Sequence, residues 1–144
     1  MFQPFHRGVI RLSDSEQITR LIYLYGHVID DKEWDRLDEI FTDDGEFEIE
    51  GTDHHVSGLA AIDRFMRGIV HPLAHFSTNV IVDHDEGSDT ARARVKLFAP
   101  RANGTCAIAT YHDDIARTEN GWRFRRRLVK VTELQWRSAP LGSS

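Results

Sequence analysis

The stretch TARARVKLFAPRANGTCAIATYHDDIARTENGWRFRRRLVKVTELQW, residues 90–136, decides the fold class. It divides into segments near 90–101, 104–117 and 121–136, and a similar segment precedes it near 75–84. The dividers are Asp85-Glu86-Gly87-Ser88, Ala102-Asn103-Gly104 and Glu119-Asn120-Gly121. Two of them contain Asn-Gly, a pair that tolerates the positive φ angles of tight hairpins. Extended segments joined by short turns predict an antiparallel meander for the second half of the chain.

The first half has a different period. Ser13-Asp14-Ser15-Glu16 carries the Ser-x-x-Glu spacing of a capping box, in which each side chain satisfies a free amide of the first turn. Ile18, Leu21, Ile22, Tyr25, Val28 and Ile29 follow at helical spacing, and this helix is expected to end near Asp30-Asp31. Trp34, Leu37, Ile40 and Phe41 predict a second helix that stops before Asp43-Asp44-Gly45. Glu46-Phe47-Glu48-Ile49-Glu50 alternates, predicting a short strand with Phe47 and Ile49 inward. A third helix is expected after Ser57-Gly58, with Leu59, Ile62, Phe65, Met66 and Ile69 on its apolar face. Helices followed by a long meander imply an α+β layer, with the strands curling around a pocket closed by the helices.

At 144 residues the chain is expected to form one domain over 1–144, with a core about 13–136 and loose tails at 1–11 and 138–144. Lys plus Arg number 18 against 23 Asp plus Glu, a net charge of −5. That balance argues against nucleic acid or an anionic membrane as partner, since both require a basic surface. The single cysteine, Cys106, excludes a disulfide framework and cysteine-rich zinc modules, and its small-residue strand predicts a buried, inert thiol. The sequence lacks both a long apolar span and the basic-then-apolar layout of a signal peptide, so a cytoplasmic protein is expected.

Chemistry narrows from there. His71 and His75 are four apart, but Pro72 interrupts any helix presenting both rings, and no carboxylate lies between them, so no metal site is expected. Neither a Gly-x-Ser-x-Gly elbow nor a Gly-rich phosphate loop occurs, and no cofactor is expected. What remains is general acid–base work by Tyr25 and Asp30 near the end of the first helix and His75 at the start of the first long strand. A carboxylate beside a histidine fixes its tautomer, and a phenol polarises a carbonyl while neutral. The same residues also suit plainer roles: Asp30 as a helix cap, His75 in solvent, Tyr25 in the core. Of the other seven histidines, His6, His54, His55, His71 and His84 fall in termini, turns or polar stretches, and His27 lies off its helix's core stripe. Strict alternation through Trp122-Arg123-Phe124-Arg125-Arg126-Arg127 puts Arg126 on the aromatic face, as the arginine that reaches a pocket.

Three stretches together resemble the SnoaL-like branch of the nuclear-transport-factor-2-like superfamily. They are Leu24-Tyr25-Gly26-His27-Val28-Ile29-Asp30-Asp31-Lys32-Glu33-Trp34-Asp35-Arg36-Leu37 with Phe41-Thr42-Asp43-Asp44, then His75-Phe76-Ser77-Thr78-Asn79, then Tyr111-His112-Asp113-Asp114 through Gly121-Trp122-Arg123-Phe124. The resemblance implies a curved antiparallel sheet wrapped around helices as a cone with a deep apolar pocket. It looks strongest toward scytalone dehydratase, the bile acid 7α-dehydratases and hexachlorocyclohexane dehydrochlorinase, cofactor-free lyases that use an Asp–His pair, often with a Tyr. Their aspartate, histidine and tyrosine fall on Asp30, His75 and Tyr25, and a second histidine of scytalone dehydratase on His112. Ile29 and Ile49 stand where scytalone dehydratase has pocket tyrosines, which implies a more apolar substrate. Trp34, Phe47, Ile49, Phe65 and Arg126 are then the expected substrate contacts. The implied function is a dehydratase-type lyase or an isomerase for a small hydrophobic, cyclic substrate, in a homodimer or homotrimer. The alternative is a non-catalytic binding or assembly module, such as the small subunit of a ring-hydroxylating dioxygenase, which shares the His-x-x-x-Asn strand and the Gly-Trp-Arg finish.

Overall fold

A computed structural model describes residues 11–132. Residues 1–10 of the tail expected at 1–11, His6 among them, the tail expected at 138–144, and the last expected strand residues, 133–136, lie outside the described residues. Helix α1 (Asp14–Asp30) opens with the capping box: Glu16 N–H donates to Ser13 Oγ at 3.2 Å, and Ser13 N–H donates to Glu16 Oε2 at 2.7 Å. Its apolar stripe, from Ile18 to Ile29, is buried. A 3₁₀ turn (Trp34–Glu39) leads into strand β1 (Phe41–Ile49), a short strand β2 (His55–Ser57) and helix α2 (Leu59–Gly68). The meander follows as β3 (Phe76–Asp83), β4 (Thr90–Pro100), β5 (Cys106–Thr118) and β6 (Gly121–Val131).

The strands form one curved, open sheet in the order β2-β1-β6-β5-β4-β3. It is mixed and not wholly antiparallel as expected, because β1 runs parallel to β6. Strand β1 lies between its sequence neighbour β2, with which it pairs antiparallel, and the last strand of the chain. Helix α1 packs across β3 and β6, and α2 against β1. The core lies between α1 and the inner face of the sheet, where Ile18, Val28, Val95, Ile115 and Phe124 are fully or almost fully buried.

Three local expectations are corrected. The second helix is only a 3₁₀ turn, and Phe41 opens β1. Phe124 N–H captures the Ile40 carbonyl at 2.7 Å, and Phe41 then packs between Tyr25 and Phe124. Its i, i+3, i+4 spacing argued for helix, and pairing of Phe41 with Phe124 on β6 overrode it. Strand β1 also starts earlier than Glu46, carrying Asp43 and Asp44 as an exposed bulge between the Phe41–Phe124 and Glu46–Arg126 pairings. Gly45 permits the bulge, since a Cβ there would lie 3.0 Å from the Thr42 carbonyl oxygen. Cys106 is exposed at the start of β5, not buried.

The correction with most consequence is on β6. Asp114 pairs with Arg126 but Ile115 pairs with Phe124, so Arg125 is an extra, bulged residue. Side-chain parity reverses there. Arg127 joins the inner face with Trp122 and Phe124, and Arg126 turns outward to Glu48 at 2.6 Å and Glu46 at 3.8 Å.

Candidate active site

Asp30 is the last residue of α1 and His75 immediately precedes β3. Their elements approach closely at Gly26, where an added Cβ would sit 3.0 Å from the His75 carbonyl oxygen. With no side chain at that point, the start of β3 lies against the helix. His75 N–H then donates to Asp30 Oδ2 at 3.0 Å and ring Nδ1–H donates to Oδ1 at 2.5 Å. A carboxylate only accepts, so the shared proton belongs to Nδ1 and Nε2 keeps its lone pair. The His75 side chain is 8% exposed and that of Asp30 21%. Burial pushes the imidazole below the ordinary histidine pKa, against the opposing hydrogen bond and charge of Asp30. Asp30 therefore does not cap the following turn, which has no side-chain cap.

Tyr25 lies one and a half helical turns before Asp30, buried, with its ring edge-on to His75 at 6.1 Å between centroids. Burial pushes its phenol up to about 12, so it is a neutral donor near pH 7. Tyr111 of β5 meets it edge-on at 5.9 Å, and burial raises that phenol well above its ordinary value. Behind both rings lies Arg127, fully buried, its guanidinium carbon 4.3 Å from the Tyr25 centroid, 3.9 Å from Tyr111 and 4.1 Å from Phe124. Nε and Nη2 donate to Asp113 Oδ1 and Oδ2 at 2.8 Å each, while Nη1 has no hydrogen-bond partner among the described residues. Burial disfavours the guanidinium charge, and Asp113 outweighs that and holds the arginine cationic. The aromatic faces share the cation.

Tyr25, Tyr111 and His75 open onto a cavity of about 590 Å³ between the sheet and α2, within the size range of small-ligand sites. Of the expected substrate contacts, Phe47 and Ile49 line it directly. Phe65 packs on Phe47 at 5.6 Å, and Trp34 packs on His71, which lines the cavity, also at 5.6 Å. Arg126 and His112 do not reach it. His112 sits on the outer face of β5 between Arg94 and Leu128, where even alternation carries it while Tyr111 and Asp113 point in. His71, assigned no role above, lines the cavity with its ring 6.2 Å from that of His75 and its Nε2–H donating to the Met66 carbonyl at 2.6 Å. Tyr111, Asp113 and Arg127 were missed. A charged Asp113 sharing parity with Tyr111 and Ile115 signalled a buried partner, but the β6 bulge hid which arginine it was. Among the described residues no group of three or more His, Cys, Asp or Glu is placed to hold a metal ion, and no helix is long and apolar enough to cross a membrane.

A family model of the SnoaL-like domain matches residues 11–128 of the chain. The chain belongs to the SnoaL-like domain family. This SnoaL-like domain is 29% identical to the uncharacterized protein Rv2910c of Mycobacterium tuberculosis, across 84% of this chain and 87% of that one. It is 30% identical to an NTF2-like protein of cystatin-like fold from Novosphingobium aromaticivorans, with a TM-score of 0.70 over 83% of this chain and 82% of the other. It shares 20% identity with a protein of the same species named provisionally as a scytalone dehydratase, with a TM-score of 0.69 over 83% and 84% of the two chains. At 20% identity that likeness is one of fold.

The arrangement in this SnoaL-like domain has defined chemical capacities. His75 Nε2 is a base in an apolar site, with an acceptor behind it for the proton on Nδ1. Tyr25 is a neutral donor with a cation stacked on its ring, placed to favour negative charge on an oxygen it touches.

Proposed function

We propose that this protein is a cofactor-free lyase of the dehydratase type, or an isomerase, acting on a small hydrophobic, cyclic substrate by general acid–base proton abstraction. His75 Nε2 removes a proton from carbon next to an electron-withdrawing group such as a carbonyl. The C–H electron pair moves to the carbonyl oxygen, which accepts a hydrogen bond from Tyr25. In elimination, the pair then returns to expel a leaving group from the β-carbon, as water when His75 gives back its proton. In isomerisation, His75 returns the proton to a different carbon. Asp30 holds the imidazolium that forms between these steps. The proton transfer contributes on the order of 10²–10⁴ in rate.

The observation supporting this reading is the part-buried Asp30–His75 hydrogen bond at the wall of an apolar cavity. A module that only assembles with a partner has no use for such a pair, so the chemical reading is preferred. The name of the scytalone dehydratase-like neighbour is in keeping with it. The setting proposed is cytoplasmic. The proposed state is a homo-oligomer joined through the outer face of β3, β4 and β5, where Phe76, Phe98 and Ile108 stand exposed in one row.

Deuterium uptake by a cyclic ketone tests the chemistry. With 2-tetralone in D₂O followed by proton NMR, exchange at the carbons beside the carbonyl is expected to exceed the buffer rate and to vanish in His75→Gln. No exchange above buffer, or undiminished exchange in His75→Gln, overturns the proposal.

A further inference from the structure

The segment between α2 and β3 brings two histidines to the cavity, His71 and His75. Each is tied to a helix through one ring nitrogen. His75 Nδ1–H donates to Asp30 at the end of α1, and His71 Nε2–H donates at 2.6 Å to the Met66 carbonyl in the last turn of α2. The other nitrogen of each ring, His75 Nε2 and His71 Nδ1, has no hydrogen-bond partner among the described residues, and neither is enclosed by protein. Trp34 supports the His71 ring at 5.6 Å between centroids. Two held rings, each with one open nitrogen, thus stand 6.2 Å apart, centre to centre, at the cavity wall.

That spacing suits an elimination across one carbon–carbon bond. The bond is about 1.5 Å long, and a hydrogen bond of about 3 Å at either end reaches a base on one side and an acid on the other. With His75 Nε2 as the base, the leaving oxygen on the next carbon still needs a proton donor. Both phenols lining the cavity, Tyr25 and Tyr111, are pushed up by burial and hold their protons. A guanidinium does not give up a proton in a protein, which removes Arg101. His71 is the lining side chain left of a type that gains and loses protons near neutrality. Its bond to Met66 keeps Nε2–H on the carbonyl, so Nδ1 is the nitrogen that exchanges. The carbonyls that end α2 attract positive charge to this ring. Burial already disfavours a charge on His75, and positive charge on His71 disfavours it further, which keeps the base neutral.

We propose that His71 is the acid that protonates the leaving group, through Nδ1, and that the substrate is a β-hydroxy carbonyl compound that loses water. This rests on the reading of His75 as the base and narrows the substrate class, since a halide or another stable anion departs without an acid. His75 Nε2 takes the proton from the α-carbon, and the C–H electron pair moves to the carbonyl oxygen beside Tyr25. The pair returns to form the double bond, the bond from the β-carbon to oxygen breaks, and that oxygen takes the Nδ1 proton of His71 and leaves as water. His75 has then gained one proton and His71 has lost one. Exchange with solvent restores both, so His75 does not have to carry its proton to the leaving oxygen.

Two substrates that differ only in leaving group test the assignment on the full chain. 3-Hydroxycyclohexanone loses water and needs an acid, whereas 3-acetoxycyclohexanone loses acetate, a stable anion, and does not. Both yield cyclohex-2-enone, followed by its ultraviolet absorption. In His71→Gln the ratio of kcat for loss of water to kcat for loss of acetate is expected to fall about 10²-fold, the share of a positioned acid. His71→Phe, which keeps a ring against Trp34, is expected to do the same. His112→Gln, on the outer sheet face, keeps the native ratio. Continued loss of acetate establishes that each variant is folded with its base in place. An unchanged ratio, whether both rates fall together or neither falls, overturns the assignment. A native protein that exchanges 2-tetralone protons but releases water no faster than buffer overturns it too, and leaves the base standing. Absence of both exchange and elimination overturns base and acid together.

Discussion

Asp30 grips His75 twice, through the backbone N–H to one carboxylate oxygen and through ring Nδ1–H to the other. The two bonds fix the position of the loop before β3 and the tautomer of the ring with one side chain. Placement and reactivity of the base are therefore coupled, and a substitution at residue 30 disturbs both.

Asp30→Asn is expected to reduce catalysed ketone exchange by at least 10²-fold, about the share of a positioned base. Its effect on His75 titration has a defined sign. Burial lowers the His75 pKa and Asp30 opposes that, so removing the carboxylate lets burial act alone and lowers it further. A histidine Cε1–H resonance followed against pH by NMR checks this; an upward shift refutes the coupling.

The same shift makes stability depend on pH. The folded ring has a lower pKa than the unfolded ring, whose ordinary value is near 6.5, so the unfolded chain binds more protons in acid. The contribution is fully present above 6.5 and is lost as pH falls through the folded value. Urea unfolding at pH 7.5 and 5.5 is expected to show a smaller acid loss in His75→Gln than in the native protein.

The Arg127–Asp113 pair is fully buried, and separating its members is more costly than replacing both. Asp113→Ala leaves the guanidinium uncompensated and is expected to cost about 3–5 kcal/mol in urea unfolding. The double variant Asp113→Leu, Arg127→Met is expected to cost less, since no buried charge remains. Equal losses would refute charge burial as the cause.

Gly26→Ala sets two effects against each other. Alanine in a helix interior gains about 1 kcal/mol over glycine, while the new Cβ presses on the His75 carbonyl 3.0 Å away. Stability measured by thermal unfolding is expected to change little. Ketone exchange is expected to fall on the order of tenfold, because a shift of tenths of an ångström moves the base out of line.

His112→Ala is expected to leave exchange unchanged within error, because the ring lies on the outer sheet face. A rate loss comparable to that of His75→Gln would place the ring in the reaction after all.

The α+β order, the capping box and the four-strand meander were legible because each rests on local periodicity and local turn chemistry. Tyr25, Asp30 and His75 were singled out by residue type and by resemblance. Composition and spacing left them open to plainer roles, since their contact spans 45 residues of chain. The helix expected through Phe41 failed because long-range pairing of Phe41 with Phe124 on β6 overrode the helical spacing.

The sequence by itself determined α1, α2 and the four strands of the meander and their order, since apolar period and turn residues act within a few positions along the chain. Only the tertiary structure decided which side chains face the cavity. A single bulged residue, Arg125, exchanges the faces of Arg126 and Arg127, and a missing Cβ at Gly26 brings His75 to Asp30. Parity across a sheet and distance between distant elements are set by pairing and close packing, to which local sequence pattern is blind.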